Sequence, residues 1–240
     1  MSKSLTAALI IIGNEILSGR TQDKNLNFLA NELGSMGIQL MEVRVIPDIE
    51  STIIDTVNTL RNSFSYVFTT GGIGPTHDDI TSASVAKALN MELYRHPEAV
   101  ERLRGYYASD DELTDARLKM ADVPSGAILI DNPVTSAPGY KVENVFVLAG
   151  IPKIMQAMFE ACKPYLENGS IVHSKEVSAF VSESQIASRL ADIQGRYPEV
   201  EIGSYPFKKD NQYGVSVVLR SQNTGLIDQV QEEVEKLMHG

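Results

Sequence analysis

Three glycines, two adjacent aspartates and a histidine fall within one short stretch of this chain, Thr69-Thr70-Gly71-Gly72-Ile73-Gly74-Pro75-Thr76-His77-Asp78-Asp79-Ile80-Thr81. Glycines let a backbone approach a phosphate closely, and amides at a helix start carry the positive end of the peptide dipoles. The stretch follows an apolar run at residues 66–70 and precedes a helical pattern with Val85, Ala88 and Leu89. It therefore reads as a loop at the carboxyl end of a buried strand, where open α/β sheets hold ligands. It is not a Walker loop, since the lysine is absent, nor a dinucleotide G-x-G-x-x-G, since the spacing differs. Thr70, Gly71, Gly72, Gly74, Pro75, Thr76 and Thr81 become candidate contacts for a small phosphate-bearing ligand. The alternative is an ordinary strand-to-helix turn capped by Asp79 or Thr81. Asp78 and Asp79 are residues of the type that hold a hard divalent cation, which neutralises phosphate charge and activates water.

Three further loops qualify. Gly13, Asn14 and Glu15 interrupt an apolar run beside a turn. Asp48 follows a strand-like run closed by Pro47. Asn132 opens a segment with Thr135, Ser136, Ala137, Pro138 and Gly139 that reads either as a pocket wall or as a plain hairpin connection. A doubly wound sheet would bring Asp48, Glu15 and the Asp78/Asp79 pair to one rim. Of the histidines His77, His96, His173 and His239 none is paired at H-x-x-x-H spacing, and there is no cysteine cluster, so a zinc site is not expected. The lone Cys162 lies in an apolar helical pattern and reads as a packed thiol. No G-x-S-x-G elbow is present.

The elements that must position these residues follow from periodicity. Residues 9–12 form an apolar run suited to a strand buried on both faces. Leu26, Leu29, Ala30 and Leu33 recur at helical spacing, with Gly37 as the stop. A strand through Met41, Val43, Val45 and Ile46, a helix with Ile53, Ile54, Val57 and Leu60, and a strand at 66–70 continue the alternation. Residues 97–121 read as helical, a solvated cap or lid with a charged middle at Asp110, Asp111 and Glu112. Strands at 127–130 and 145–148 and a helix at 154–166 complete a doubly wound α/β domain over residues 1–169. Residues 170–240 read as a small α+β domain of order β-α-β-β-α.

The chain has 240 residues and a formal net charge of −10, with its lysines and arginines scattered among acidic residues. That argues against a nucleic-acid partner. The longest apolar runs fall short of the roughly 20 residues of a membrane-spanning helix. The amino terminus lacks the cleavage site of a signal peptide, and a single cysteine forms no bridge, so a cytoplasmic location is expected.

Taken together, Gly13-Asn14-Glu15-Ile16-Leu17 with Gly19, Asp23 and Asn25, Thr70 to Thr76 with Asp78, Asp79 and Thr81, Asn132 with Ala137-Pro138-Gly139, and Gly150-Ile151-Pro152 resemble a known pattern. It is similar to the molybdopterin-binding (MoaB/Mog-like) domain in its competence-damage protein CinA subgroup, over roughly residues 5–167. The resemblance implies a three-layer α/β/α, mostly parallel, Rossmann-like fold, followed by the small domain of CinA-type proteins. Relatives of this kind include molybdenum-cofactor adenylyltransferases, metal-dependent ADP-ribose pyrophosphatases and a domain of FAD synthases. It implies a homo-oligomer, dimer or trimer, with Asp48 and Asp79 as catalytic or metal-positioning residues and Asp78 as a further metal ligand. The implied activity is hydrolysis of a nucleotide pyrophosphate, ADP-ribose or similar, with magnesium, manganese or cobalt. A non-catalytic molybdopterin-binding protein and a molybdopterin adenylyltransferase are the alternatives. Two features depart from the family. The deamidase domain of many CinA proteins has no counterpart before Gly240, so deamidase activity is not implied. Residues 116–124 lack the usual amides and keep Arg117 and Lys119 as phosphate contacts.

Overall fold

The computed structural model describes residues 5–239. Met1 to Ser4, read above as a start without a leader, and Gly240 lie outside the described residues, as does the side chain of Asp110. The chain divides into two units, one ending at Gly169 and the other beginning at Ser170.

In chain order the first unit contains β1 (Leu5–Ile12), α1 (Asn14–Leu17), α2 (Asn25–Ser35), β2 (Ile38–Ile46), α3 (Glu50–Ser63), β3 (Tyr66–Thr70) and α4 (Thr81–Ala88). These are followed by β4 (Leu93–Arg95), α5 (Pro97–Tyr106), α6 (Asp115–Leu118), β5 (Asp122–Pro124), β6 (Ile128–Ile130), β7 (Gly139–Val142), β8 (Val145–Leu148) and α7 (Pro152–Cys162). Six strands make one sheet in the order β2-β1-β3-β8-β7-β6, parallel from β2 through β8 and antiparallel from β8 to β6.

The apolar runs of the central strands have a direct cause. Leu9 and Ile11 of β1 pack with Leu29, Leu33, Phe68, Phe146 and Phe159 on one face. Ile10 and Ile12 pack with Ile53, Val57, Leu60, Val67 and Val85 on the other. Successive residues thus enter opposite cores, and from Ala7 to Ile12 both faces of β1 carry buried apolar side chains. Cys162 is buried in the first of these cores, and burial pushes its thiol pKa up, as expected of a packed thiol.

Two readings need correction. The run at residues 97–121 is not one helix: α5 ends at Tyr106, and a 3-10 turn (Asp110–Glu112), α6 and a second 3-10 turn (Lys119–Ala121) follow. Ala99, Leu103 and Ala121 form a small buried cluster of their own, and the β4–β5 pair ties the ends of the segment together. The turn-rich segment before residue 145 contains the unforeseen strand β7. Gly139 begins it, and a side chain there would meet the Val147 carbonyl at 2.6 Å, so this glycine permits strand packing.

The second unit contains β9 (His173–Ala179), α8 (Glu183–Arg196), β10 (Glu201–Lys209), β11 (Gln212–Ser221) and α9 (Thr224–His239), with an antiparallel sheet ordered β10-β11-β9. Val177, Val215, Val217 and Leu219 meet Ile186, Leu190, Ile193, Ile227, Val230 and Val234 of the helices. Ser182 and Gln185 close a capping box at the start of α8.

Candidate functional site

Because β2, β1, β3 and β8 are neighbours and run parallel, their carboxyl ends share one rim of the sheet. The four loops leaving that rim line a cleft of about 600 Å3. After β1 come Gly13 and Glu15, after β2 Asp48, after β3 Gly71 to Pro75 with Asp78 and Asp79, and after β8 Ala149 to Pro152. Asn132, Ala137 and Pro138 line it as well.

The loop after β3 owes its shape to local contacts. Gly71 and Gly72 have φ of +100° and +68°, the left-handed region that side chains avoid. A Cβ on Gly71 would lie 2.2 Å from the Ile12 carbonyl, and one on Gly72 would lie 2.1 Å from Thr81 Oγ1. Thr81 folds the loop back: its N–H donates to the Gly72 carbonyl at 3.0 Å and its hydroxyl to the Gly71 carbonyl at 3.0 Å. The Gly71 N–H donates to Leu148 at 3.1 Å, whereas the N–H groups of Gly72, Ile73 and Gly74 meet no protein acceptor among the described residues. Three successive open amides in a glycine-rich turn are the kind of backbone feature that receives an anion in other proteins. The capping alternative is not what forms: α4 has no side-chain cap, and Asp79 instead accepts from the Thr76 N–H at 2.8 Å.

Thr76 is the hub of the acidic pair. Its Oγ1 lies 2.5 Å from Asp78 Oδ1 and 2.6 Å from Asp79 Oδ2, and Lys119 Nζ donates to its carbonyl at 2.6 Å. The Thr76 hydroxyl, and after it the backbone N–H of Asp78, hold the Asp78 carboxyl below its ordinary pKa. Asp48 Oδ2 accepts the Asn14 N–H at 2.9 Å, while Oδ1 meets no protein donor among the described residues.

Several residues singled out in the sequence do not line the cleft. Asn14 and Thr76 brace its carboxylates, Thr81 closes its loop, Thr70 is buried in β3, and Gly139 packs in β7. Asn132 lines it but spends its side chain internally, on Thr135 Oγ1 (2.7 Å) and the Ala137 carbonyl (2.8 Å) and on the N–H groups of Val134 and Thr135. The buried Asn25 donates to the Gly150 carbonyl at 2.8 Å and so fixes the loop after β8. The two cations kept as phosphate contacts are committed elsewhere. Lys119 binds Thr76, and Arg117 donates to the Glu112 carbonyl at 2.6 Å while lying 4.2 Å over the Tyr107 ring. His77 is almost wholly exposed and does not line the cleft.

Sequence reasoning missed Tyr106, Tyr107 and Met120, which reach the cleft from the segment after β4, and Thr21, Ile154 and Met158. The two tyrosine rings are edge-to-face at 5.3 Å. Adjacent aromatics at a helix end were the available signal.

Among the described residues that line the cleft, the charged side chains are Glu15, Asp48, Asp78 and Asp79, all carboxylates. No three His, Cys, Asp or Glu side chains among the described residues converge as a cation cage. The Asp78/Asp79 pair nevertheless fits a hard cation of the magnesium type, which takes one or two carboxylates and completes its shell with phosphate oxygens and water. Among the described residues no helix is long and apolar enough to cross a membrane.

The chain has relatives among known proteins. Residues 8–168 match the family model described as "Probable molybdopterin binding domain", and residues 171–240 match "FAD synthase, middle domain". A protein of Aeropyrum pernix is 38% identical over 216 residues, covering 86% of this chain and 81% of that one. A protein named "Probable FAD synthase" from Caenorhabditis briggsae is 28% identical over 98% of this chain, which spans 50% of that longer protein. The crystal structure of CinA from Thermoplasma acidophilum superposes with a TM-score of 0.63 at 33% identity, covering 68% of this chain and 99% of that one. Matched by the family model over more than half its length, and built on the sheet it shares with a CinA protein, the chain belongs to the molybdopterin-binding domain family.

Proposed function

We propose that the cleft binds a nucleotide pyrophosphate, of which ADP-ribose and FAD are the first to test, and hydrolyses it with the help of a divalent cation. One observation carries the reading: the open amides of Gly72 to Gly74 share a cleft with four carboxylates and no lining lysine or arginine among the described residues. Amides alone would leave a pyrophosphate facing uncompensated negative charge, so the ligand that fits is one that arrives with a cation.

Asp78 and Asp79 would hold that cation, which neutralises phosphate charge and acidifies water when bound. The chain's own residues account for the rest. The Gly72, Ile73 and Gly74 amides receive phosphate oxygens and stabilise the charge that builds there. Asp48, with Oδ1 open, accepts the proton of the attacking water. The water oxygen bonds to one phosphorus as the bridging P–O bond breaks, and two phosphate monoesters leave. Tyr106 and Tyr107 supply an aromatic wall for the base, and Ile151, Pro152 and Met158 an apolar one. The likeness to a protein named FAD synthase supports trying FAD.

The test is phosphomonoester release from ADP-ribose and FAD with magnesium, manganese or cobalt, comparing the native chain with Asp79→Ala. Turnover that needs the cation and falls about a hundredfold or more in the variant is expected, since the loop that positions the phosphates loses its brace. Family membership favours a second reading, a pterin phosphate held without turnover. Thermal stabilisation by the pterin, with no turnover of any pyrophosphate, would select it.

A further inference from the structure

Lys119 opens the second 3-10 turn of the segment between α5 and β5 and is half-buried. Its Nζ donates to the Thr76 carbonyl at 2.6 Å, a charge-assisted bond of the stronger kind. The same carbonyl accepts the Asp79 N–H at 3.3 Å, and the Thr76 N–H and hydroxyl serve the acidic pair. Every polar group of Thr76 is thereby spent on Lys119, Asp78 or Asp79. Among the described residues, no other hydrogen bond ties residues 73–80 to a part of the chain distant in sequence. Lys119 is itself held from behind. Two residues on, Ala121 is buried and its carbonyl accepts the His96 N–H at 2.9 Å; two residues back, Arg117 donates to the Glu112 carbonyl and covers the Tyr107 ring. Lys119 does not line the cleft, so it reaches the acidic pair only through Thr76.

We propose that Lys119 is a positioning residue for the divalent cation: by tethering the Thr76 carbonyl it fixes Thr76, and through Thr76 it keeps the Asp78 and Asp79 carboxylates where the cation binds. The proposal rests on the reading that those two aspartates hold the cation. Adjacent carboxylates repel each other, and one hydroxyl proton cannot satisfy both. A tether from a packed segment keeps the loop from relieving that repulsion by turning one carboxylate away. Ions of the magnesium type tolerate little misplacement of their ligands, and groups that orient a ligand from outside govern affinity nearly as strongly as the ligand does. Position and charge act in opposite directions here, which makes the role separable. A lysine beside the carboxylates repels a divalent cation, so a purely electrostatic effect would make Lys119→Met bind the cation more tightly. Loss of the tether makes it bind more weakly.

Manganese binding to the full chain, followed by electron paramagnetic resonance without any substrate, decides between them, with circular dichroism confirming that each variant is folded. Binding that disappears in Asp79→Ala locates the ion at the acidic pair. Lys119→Met is expected to raise the manganese dissociation constant about tenfold or more. Lys119→Arg, which keeps a charged donor of similar reach, should recover most of that loss, and Lys119→Gln, which keeps only a neutral donor, should fall between the two. Unchanged or tighter binding in Lys119→Met and Lys119→Gln, with Asp79→Ala still abolishing it, would overturn the role of Lys119 and leave the cation site standing. A native chain without Asp79-dependent manganese binding would overturn the cation reading and this proposal with it.

Discussion

Thr76 has one hydroxyl proton and two carboxylates within reach, and that imbalance makes its effect measurable. Its bond to Asp78 is the leading cause of that group's lowered pKa. A lowered folded-state pKa means the bond is fully present above the ordinary carboxylate pKa and is lost as pH falls through the depressed value. Thr76→Val should therefore raise the Asp78 midpoint toward the ordinary aspartate range, with the backbone N–H of Asp78 still holding it down in part, read from its side-chain carboxyl carbon by NMR. An unchanged midpoint would mean that the proton serves Asp79 instead. At this scale the sequence displayed the glycines and carboxylates because they cluster between a buried strand and a helix. It did not display Tyr106 and Tyr107, whose place in the cleft depends on where α5 ends and on the β4–β5 pairing that closes the segment. Nor did it show that Asn132 and Thr81 would turn their polar groups inward to shape loops.

Among the elements, the turn between β3 and α4 is where backbone conformation and ligand binding meet. Gly72 has φ of +68° and faces Thr81 Oγ1 at a distance no Cβ tolerates. Gly72→Ala should destabilise the first unit by about 1–3 kcal/mol, measured by urea unfolding, and should weaken phosphate-ligand binding by more than that loss alone explains, because the three open amides are displaced. Equal stability and affinity would mean that the turn relaxes freely and the amides are not a fixed cradle. β1 and β8 were legible because burial on both faces writes them as apolar runs. β4, β5 and β7 are only three or four residues long, too short to show a period of two, and their pairing comes from tertiary contact.

For the molecule as a whole, every residue lining the cleft lies at or before Met158, within the first unit. The second unit buries Val177, Leu190, Val200, Val217, Leu219, Val230 and Val234 among its own sheet and helices. A helix-covered three-stranded sheet with its own apolar core meets the condition for folding alone, although a unit this small is only marginally stable. Residues 170–240 produced separately should therefore show a cooperative thermal transition with native-like circular dichroism. Residues 1–169 should retain the cation-dependent ligand affinity of the full chain within about twofold, since no cleft contact is removed. A first unit that folds but loses affinity by tenfold or more would assign the second unit a direct part in binding. A second unit that unfolds on separation while the full chain shows one transition would mean that the two cores stabilise each other. The matched family models divide at the same place, at residues 168 and 171, so the cut respects the unit that relatives share.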